Sequence, residues 1–218
     1  LSAALFVVPL VGVFTLLQFR PDVAWLLFDA SMLANAEAMY DPAAEHFGRE
    51  RGADDDFAMF GFYVMNNISI GFRTFASGLP AGLGALYVIV FNGLTIGGIA
   101  GHLHVSGYGD TFWRFVVTHG APELTAIVIA GGAGLRIGLS LIAPGRQRRR
   151  DALVAAGRDG AKLCLGVFVM LLLAAFIEAF WSSKADLPDL VRFPLAAALW
   201  IAIFWWLAMG GRGRTDAD

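Results

Sequence analysis

The sequence predicts an all-α fold, a polytopic transmembrane helix bundle of five to six spans with a broken or re-entrant helix around Thr111–Glu123. Three observations predict it. Of the 218 residues, 57% are hydrophobic and 16% are charged, against roughly 45–50% and about 25% in soluble domains, and the mean hydropathy is +0.64. The apolar residues gather in long runs separated by polar connectors. Glycine is abundant, with 26 residues, many at the four-residue spacing that lets helices approach closely in lipid.

A hydrocarbon core about 30 Å thick takes about 20 helical residues to cross. Leu1–Phe19, Leu79–Gly101, Pro122–Ala143, Ala161–Trp181 and Val191–Met209 satisfy that length. The chain opens on Leu1 inside the first run, so a missing N-terminal segment is expected before it. Gln18-Phe19-Arg20-Pro21 is a poor cleavage site, which favours a true span over a signal peptide. A sixth stretch, Phe57–Ala76, is apolar apart from Asn66, Asn67 and Arg73, and either spans or lies along the interface. One transmembrane domain over residues 1–210 and a polar tail at 211–218 are expected.

Charge orders the spans. The loop 145–162 carries Arg146, Arg148, Arg149, Arg150, Arg158 and Lys162, and the tail carries Arg212 and Arg214; both read as cytoplasmic. The connector 20–56 carries nine acidic residues (Asp22, Asp29, Glu37, Asp41, Glu45, Glu50, Asp54, Asp55, Asp56) against Arg20, Arg49 and Arg51, and reads as extracytoplasmic. Travel from Asp56 outside to Gly145 inside needs an odd number of crossings. The runs 79–101 and 122–143 supply two, so Phe57–Ala76 becomes the third, giving six spans with both ends inside.

From Phe112 to Ala143 is 32 residues, about 48 Å of helix and too long for one span. Gly120 and Pro122 offer a break at 118–121. Thr111–Val117 then reads as an interfacial or re-entrant half-helix, and a span starts at Pro122 with Glu123 at its positive end.

Polar groups within spans are costly and are functional candidates. They are Asn66, Asn67, Arg73, Asn92, His119, Glu123, Arg136 and Glu178. Asn66, Ile70 and Arg73 share one helix face, and Asn67, Gly71 and Thr74 another; together they form a polar stripe turned toward the interior. Arg136 either meets Glu178 or snorkels to the cytoplasmic face. His119 and Glu123, with His102 and His104 as secondary ligands, hold enough donors for zinc. Their spacing is not that of a His-Glu-x-x-His motif, and His102 and His104 read first as exposed or interfacial. No cofactor is expected beyond that zinc option. A structural hydrogen-bonded pair explains His119 and Glu123 equally well.

Cys164 is the sole cysteine, which rules out an internal disulfide and a multi-cysteine metal site. A net charge of −2 gives no field for nucleic acid. No serine or cysteine nucleophile stands beside a base, so the residues lean away from an enzyme. The expected partners are the lipid bilayer and other membrane or envelope proteins. The glycine series Gly78/Gly82, Gly93/Gly97/Gly101 and Gly134/Gly138 reads first as packing within the bundle, with a homodimer seam as the alternative.

Six segments, in order, resemble the stage II sporulation protein M family of bacterial membrane proteins. They are Tyr63-Val64-Met65-Asn66-Asn67-Ile68-Ser69-Ile70-Gly71-Phe72, Gly78-Leu79-Pro80-Ala81-Gly82-Leu83-Gly84, Phe91-Asn92-Gly93, His119-Gly120-Ala121-Pro122-Glu123-Leu124, Ala130-Gly131-Gly132-Ala133-Gly134-Leu135 and Ile177-Glu178-Ala179-Phe180. Thr118 departs from the proline that members often carry there, and Ala179 from a glycine. The resemblance implies an all-helical protein of the bacterial inner membrane, often with a cytoplasmic segment before the first span. In spore formers it implies a scaffold acting during engulfment with peptidoglycan-degrading partners. In other bacteria relatives are commonly encoded near MoxR-type ATPases and von Willebrand A-type proteins.

The leading expectation is therefore a scaffold or regulatory subunit of an envelope-associated complex, with loop 20–56 and half-helix 111–118 as its contact surfaces. The alternatives are an intramembrane metal-dependent hydrolase using His119 and Glu123, and a transporter or small-ligand-binding membrane protein.

Overall fold

The apolar runs become long helices because a backbone in lipid must satisfy its own hydrogen bonds. The structure, a computed structural model, describes residues 1–44, 47–48 and 56–210. Helix α1 covers Ser2–Phe19; a 3₁₀ turn at Pro21–Val23 leads into the short α2 (Ala24–Leu27) and α3 (Ala30–Met39). Then follow α4 (Asp56–Ala76), α5 (Leu83–Val105), α6 (Gly109–Ile142) and α7 (Arg149–Ile177). A π turn at Glu178–Ser182 extends α7, and α8 (Asp189–Met209) closes the bundle. Glu45, Glu50, Asp54, Asp55, Arg49 and Arg51 of the connector, and the tail arginines Arg212 and Arg214, lie outside the described residues.

Five helices are long and apolar enough to cross a membrane, namely α1, α5, α6, α8 and α7 with its π turn. Helix α4 is not among them by hydropathy, but it packs alongside one that is. Phe57 and Phe60 pack edge-on or tilted against Phe180 and Phe176, Gly71 faces Leu171 and Val167, and Phe75 faces Gly160. Thus α4 runs antiparallel to α7 along its whole length and crosses whatever layer α7 crosses. Its outer face, with Phe62, Met65 and Phe72, is exposed and apolar, as a lipid-facing surface should be.

Glycine sets the remaining directions. Phe6, Leu10 and Leu17 of α1 lie on Gly93, Gly97 and Gly101 of α5, so these two helices are parallel. Gly82 abuts Gly138 and Ile89 abuts Gly131, so α5 and α6 are antiparallel. Added side chains at Gly78 or Gly138 would strike the backbone of Gly134 or Gly82. The spaced glycines are used within the chain, where they let backbones touch. Gly82 also needs its residue type for conformation, because it begins α5 with φ +81°.

The helices alternate in direction, so the connector 20–56 and the turns at 106–108 and 183–188 share one end. The turns at 77–82 and 143–148 share the other with Met209. This alternation is what six crossings would need, with α4 added to the five apolar helices. The basic segment differs from its expected form: only 143–148 is a turn, and Arg149–Lys162 already belongs to α7.

The break at 118–121 is absent, and α6 is one helix of 34 residues with Pro122 inside it. There is accordingly no separate half-helix at 111–117 and no re-entrant segment within 109–142. Pro122 has no N–H to give the preceding turn, yet its neighbours Gly120 and Ala121 are small. Trp200 of α8 donates to the Val117 carbonyl at 3.2 Å. That contact is to the carbonyl beside that of Thr118, whose helical donor Pro122 removes.

Two ion pairs bracket the membrane-depth portion of α6. Arg114 pairs with Asp189 at 2.7 Å and Arg136 with Asp159 at 2.6 Å. Twenty-two residues separate the two arginines, roughly 33 Å of helix, close to the thickness of a hydrocarbon core.

The described residues of the connector, 20–44 and 47–48, fold as a cap on one end of the bundle. Tyr40, Phe47, Tyr63, Leu103, Phe112 and Phe115 form an aromatic-rich core beneath it. Glu37 reaches His102 at 2.7 Å, Thr111 Oγ1 donates to the Tyr40 carbonyl at 2.5 Å, and Phe47 N–H donates to the Ser183 carbonyl at 3.0 Å. Trp25 and Leu26 of α2 are exposed where an interfacial anchor is expected.

Candidate functional site

Three elements meet below the cap. His119 and Glu123 stand one turn apart on α6 and therefore share a face. Asn67 comes from the buried side of α4, and Glu178 and Ser182 from the π turn. A π turn is wider than an α turn and recurs at functional sites; here it carries both inward polar groups of that strand of the bundle.

His119 Nδ1 lies 2.9 Å from Ser182 Oγ. His119 Nε2 lies 3.8 Å from Glu123 Oε2, beyond hydrogen-bond range. Asn67 Nδ2 donates to Glu178 Oε2 at 3.3 Å, and Asn66 Nδ2 donates to Asn67 Oδ1 at 3.0 Å. One ligand atom each from His119, Glu123 and Glu178 falls within 4.8 Å of the others. The Phe115 ring meets the imidazole edge-on at 4.9 Å, and Tyr40 in turn packs edge-on against Phe115. Gly48, held at φ +94°, admits the Phe115 ring and the Tyr63 hydroxyl where a side chain would crowd them. Measured from Arg114, His119 is five residues down the helix, about 8 Å below the outer ion pair.

Of the eight candidates within spans, the fold brings Asn67, His119, Glu123 and Glu178 together, with Asn66 attached only through Asn67. The other three stand apart. Arg73 is exposed, and so is Asn66 apart from its bond to Asn67; the inward face of α4 is Tyr63, Asn67, Gly71 and Thr74. The i, i+4 rule found both faces but could not choose between them. Asn92 donates to the Val88 carbonyl of its own helix at 2.7 Å. Arg136 does not meet Glu178; it reaches Asp159 in an exposed pair at the opposite end, as a snorkelling residue does.

His102 and His104 are not in the cluster. His102 is buried rather than exposed, tied to Glu37 and packed against Trp25. His104 is exposed and takes a long contact from Trp113 Nε1 at 3.4 Å. Within 111–118, Thr111, Phe112, Phe115 and Thr118 are buried, while Trp113, Arg114, Val116 and Val117 are half-buried.

Two contributors escaped the sequence reading. Ser182 gave no signal, being a polar residue at the end of a run. Arg192 is fully buried and wires the start of α8 to the site's far wall. Its Nη1 donates to the carbonyls of Arg114 at 2.8 Å and Ser182 at 3.2 Å, and its Nη2 to that of Lys184 at 2.5 Å. A guanidinium beside the free carbonyls of a helix end is favourably placed. Only its position four residues past Pro188, at a helix start, hinted at an inward role.

The cluster offers an imidazole and two carboxylates, the donor types that a borderline divalent ion accepts; the same groups can also hold a shared proton or a purely structural network. Neither the curated proteins nor the solved structures give a significant match to this chain. The family model of stage II sporulation protein M matches residues 2–183, a range that holds the cap, the polar cluster and the π turn. The chain is thus a multi-pass membrane protein that belongs to the stage II sporulation protein M family.

Proposed function

We propose that this protein is a scaffold or regulatory subunit of an envelope-associated complex in the bacterial inner membrane, with its capped end facing outward. The observation that carries this reading is the cap itself. A segment that merely linked α1 to α4 would have no need of its own helices or of bonds into α5, α6 and the turn after α7. Here Glu37, Tyr40 and Phe47 fix it to those elements, while Asp22, Asp29 and Asp41 remain exposed. Rigid backing with outward acidic groups suits recognition of a partner with a basic face.

The basic opposite end supports the orientation through the positive-inside rule. Photo-crosslinking in native membranes tests the reading. A crosslinker at Asp41 should give a discrete adduct with another envelope protein, lost when Asp22 and Asp29 are changed to Lys, while Gln147 on the opposite end gives none. Absence of any adduct from the cap, together with hydrolysis or solute flux by the purified chain alone, would replace the scaffold reading with an enzyme or a transporter.

A further inference from the structure

We propose that His119 Nε2, one oxygen of Glu123 and one oxygen of Glu178 form a buried site for a divalent first-row transition ion. The ligand set comes from two helices, α6 and the π-turn extension of α7, so a bound ion would fasten their outer ends directly beneath the cap.

Geometry carries the inference. The three ligand atoms already lie within 4.8 Å of one another, and bonds of about 2.0–2.2 Å to a common ion need only small side-chain rotations to close. His119 Nε2 and Glu123 Oε2, at 3.8 Å, are too far apart for each other but suitably spaced to share an ion. Neighbouring side chains already hold two of the three ligand groups. Ser182 engages His119 Nδ1 and leaves Nε2 facing Glu123, and Asn67 engages Glu178 Oε2. Such outer partners fix ligand orientation before the ion arrives.

Ligand chemistry narrows the ion. One imidazole with two carboxylates suits zinc, manganese or ferrous iron, whereas calcium and magnesium prefer oxygen alone. Elsewhere the described residues hold weaker sets. His102 with Glu37 supplies two ligands, His104 meets an indole, and Cys164 stands alone. The fold joins Glu178 to His119 and Glu123, where the sequence spacing had offered His102 and His104.

The test uses the full chain purified in detergent, stripped with chelator and reloaded in separate arms with Zn²⁺, Mn²⁺ or Co²⁺. Elemental analysis should find a single ion per chain in at least one arm, and Co²⁺ should give visible d–d absorption. Ser182→Ala should weaken binding by roughly 10–100-fold, the usual effect of removing an outer partner. Glu123→Gln and Glu178→Gln keep side-chain shape, so circular dichroism should be unchanged while binding falls further than in Ser182→Ala. The ion should raise the melting temperature of the native chain but not of Glu178→Gln. Folded native protein that takes up no ion in any arm would overturn the proposal, as would Gln variants that bind as tightly as the native chain. These readings need no partner, so they stand or fall separately from the crosslinking result.

Discussion

Ser182 Oγ sits 2.9 Å from His119 Nδ1, joining the last residue of the π turn to the middle of α6. The same Ser182 gives its backbone carbonyl to Arg192 at 3.2 Å. One residue therefore links the polar cluster to the anchor that positions α8. The site is not an isolated patch on one helix; it is where α4, α6, the end of α7 and the start of α8 converge under the cap.

Arg192 should matter more to stability than its sequence position suggests. Arg192→Met would keep length and remove every bond to the carbonyls of Arg114, Ser182 and Lys184. Each bond from a charged donor is worth on the order of 1.5–3 kcal/mol, so a loss of several kcal/mol is expected. Arg192→Lys should recover only part of it, because one ammonium cannot reproduce the guanidinium fork. Thermal melts in detergent, with limited proteolysis at the 183–188 turn, measure both. Equal melting of Arg192→Met and native protein would contradict the anchoring role.

Glycine substitutions should separate packed from open positions with opposite signs. A methyl group at Gly138 would meet the Gly82 backbone, whereas nothing lies within 4 Å of one at Gly166. Gly138→Ala should cost about 1–3 kcal/mol by forcing α5 and α6 apart. Gly166→Ala should be neutral or stabilising by about 0.5–1 kcal/mol, through reduced backbone freedom in the unfolded chain. Denaturation of both variants under identical conditions provides the comparison.

Hydropathy and charge made the spans and their alternation legible, because both properties are local and additive along the chain. The role of α4 required parity as well, since Asn66, Asn67 and Arg73 dilute its hydropathy. The proline at 122 misled because it removes a single helical bond, to the Thr118 carbonyl, while α6 continues through it packed against α5, α7 and α8. The polar cluster was only partly legible. His119 and Glu123 follow from helical spacing, but Ser182 and the pairing of Glu178 with Asn67, 111 positions away, exist only after folding. His102 read as an exposed residue because Glu37, its partner at 65 positions, could not be assigned to it.

Direction of insertion is testable with single cysteines in a Cys164→Ser background. Ser106 lies in the exposed turn between α5 and α6, and Gln147 in the exposed turn before α7. Six alternating helices place those turns at opposite ends. With the basic end inside, a membrane-impermeant thiol reagent should label Ser106→Cys in intact cells. Gln147→Cys should react only after permeabilisation. Labelling of both positions in intact cells would break the six-crossing arrangement, and the reversed pattern would invert its orientation.

Tyr40 gives the cap a distinctive alkaline limit. Burial raises its phenol well above the ordinary value of about 10, with Glu178, Tyr63 and Glu123 adding to the effect in that order. Above pH about 10 the unfolded chain releases this proton while the folded chain retains it. The folded state then binds more protons, so stability falls as pH rises, by up to about 1.4 kcal/mol per pH unit. Below that range the group contributes no slope. Tyr40→Phe removes the titration but keeps the edge-on contacts with Phe112 and Phe115. Melting temperatures from pH 8 to pH 11 should therefore drop more steeply for the native chain than for Tyr40→Phe, with the two curves parallel below pH about 9.5. Parallel curves over the whole range would mean that the cap does not hold Tyr40 away from water.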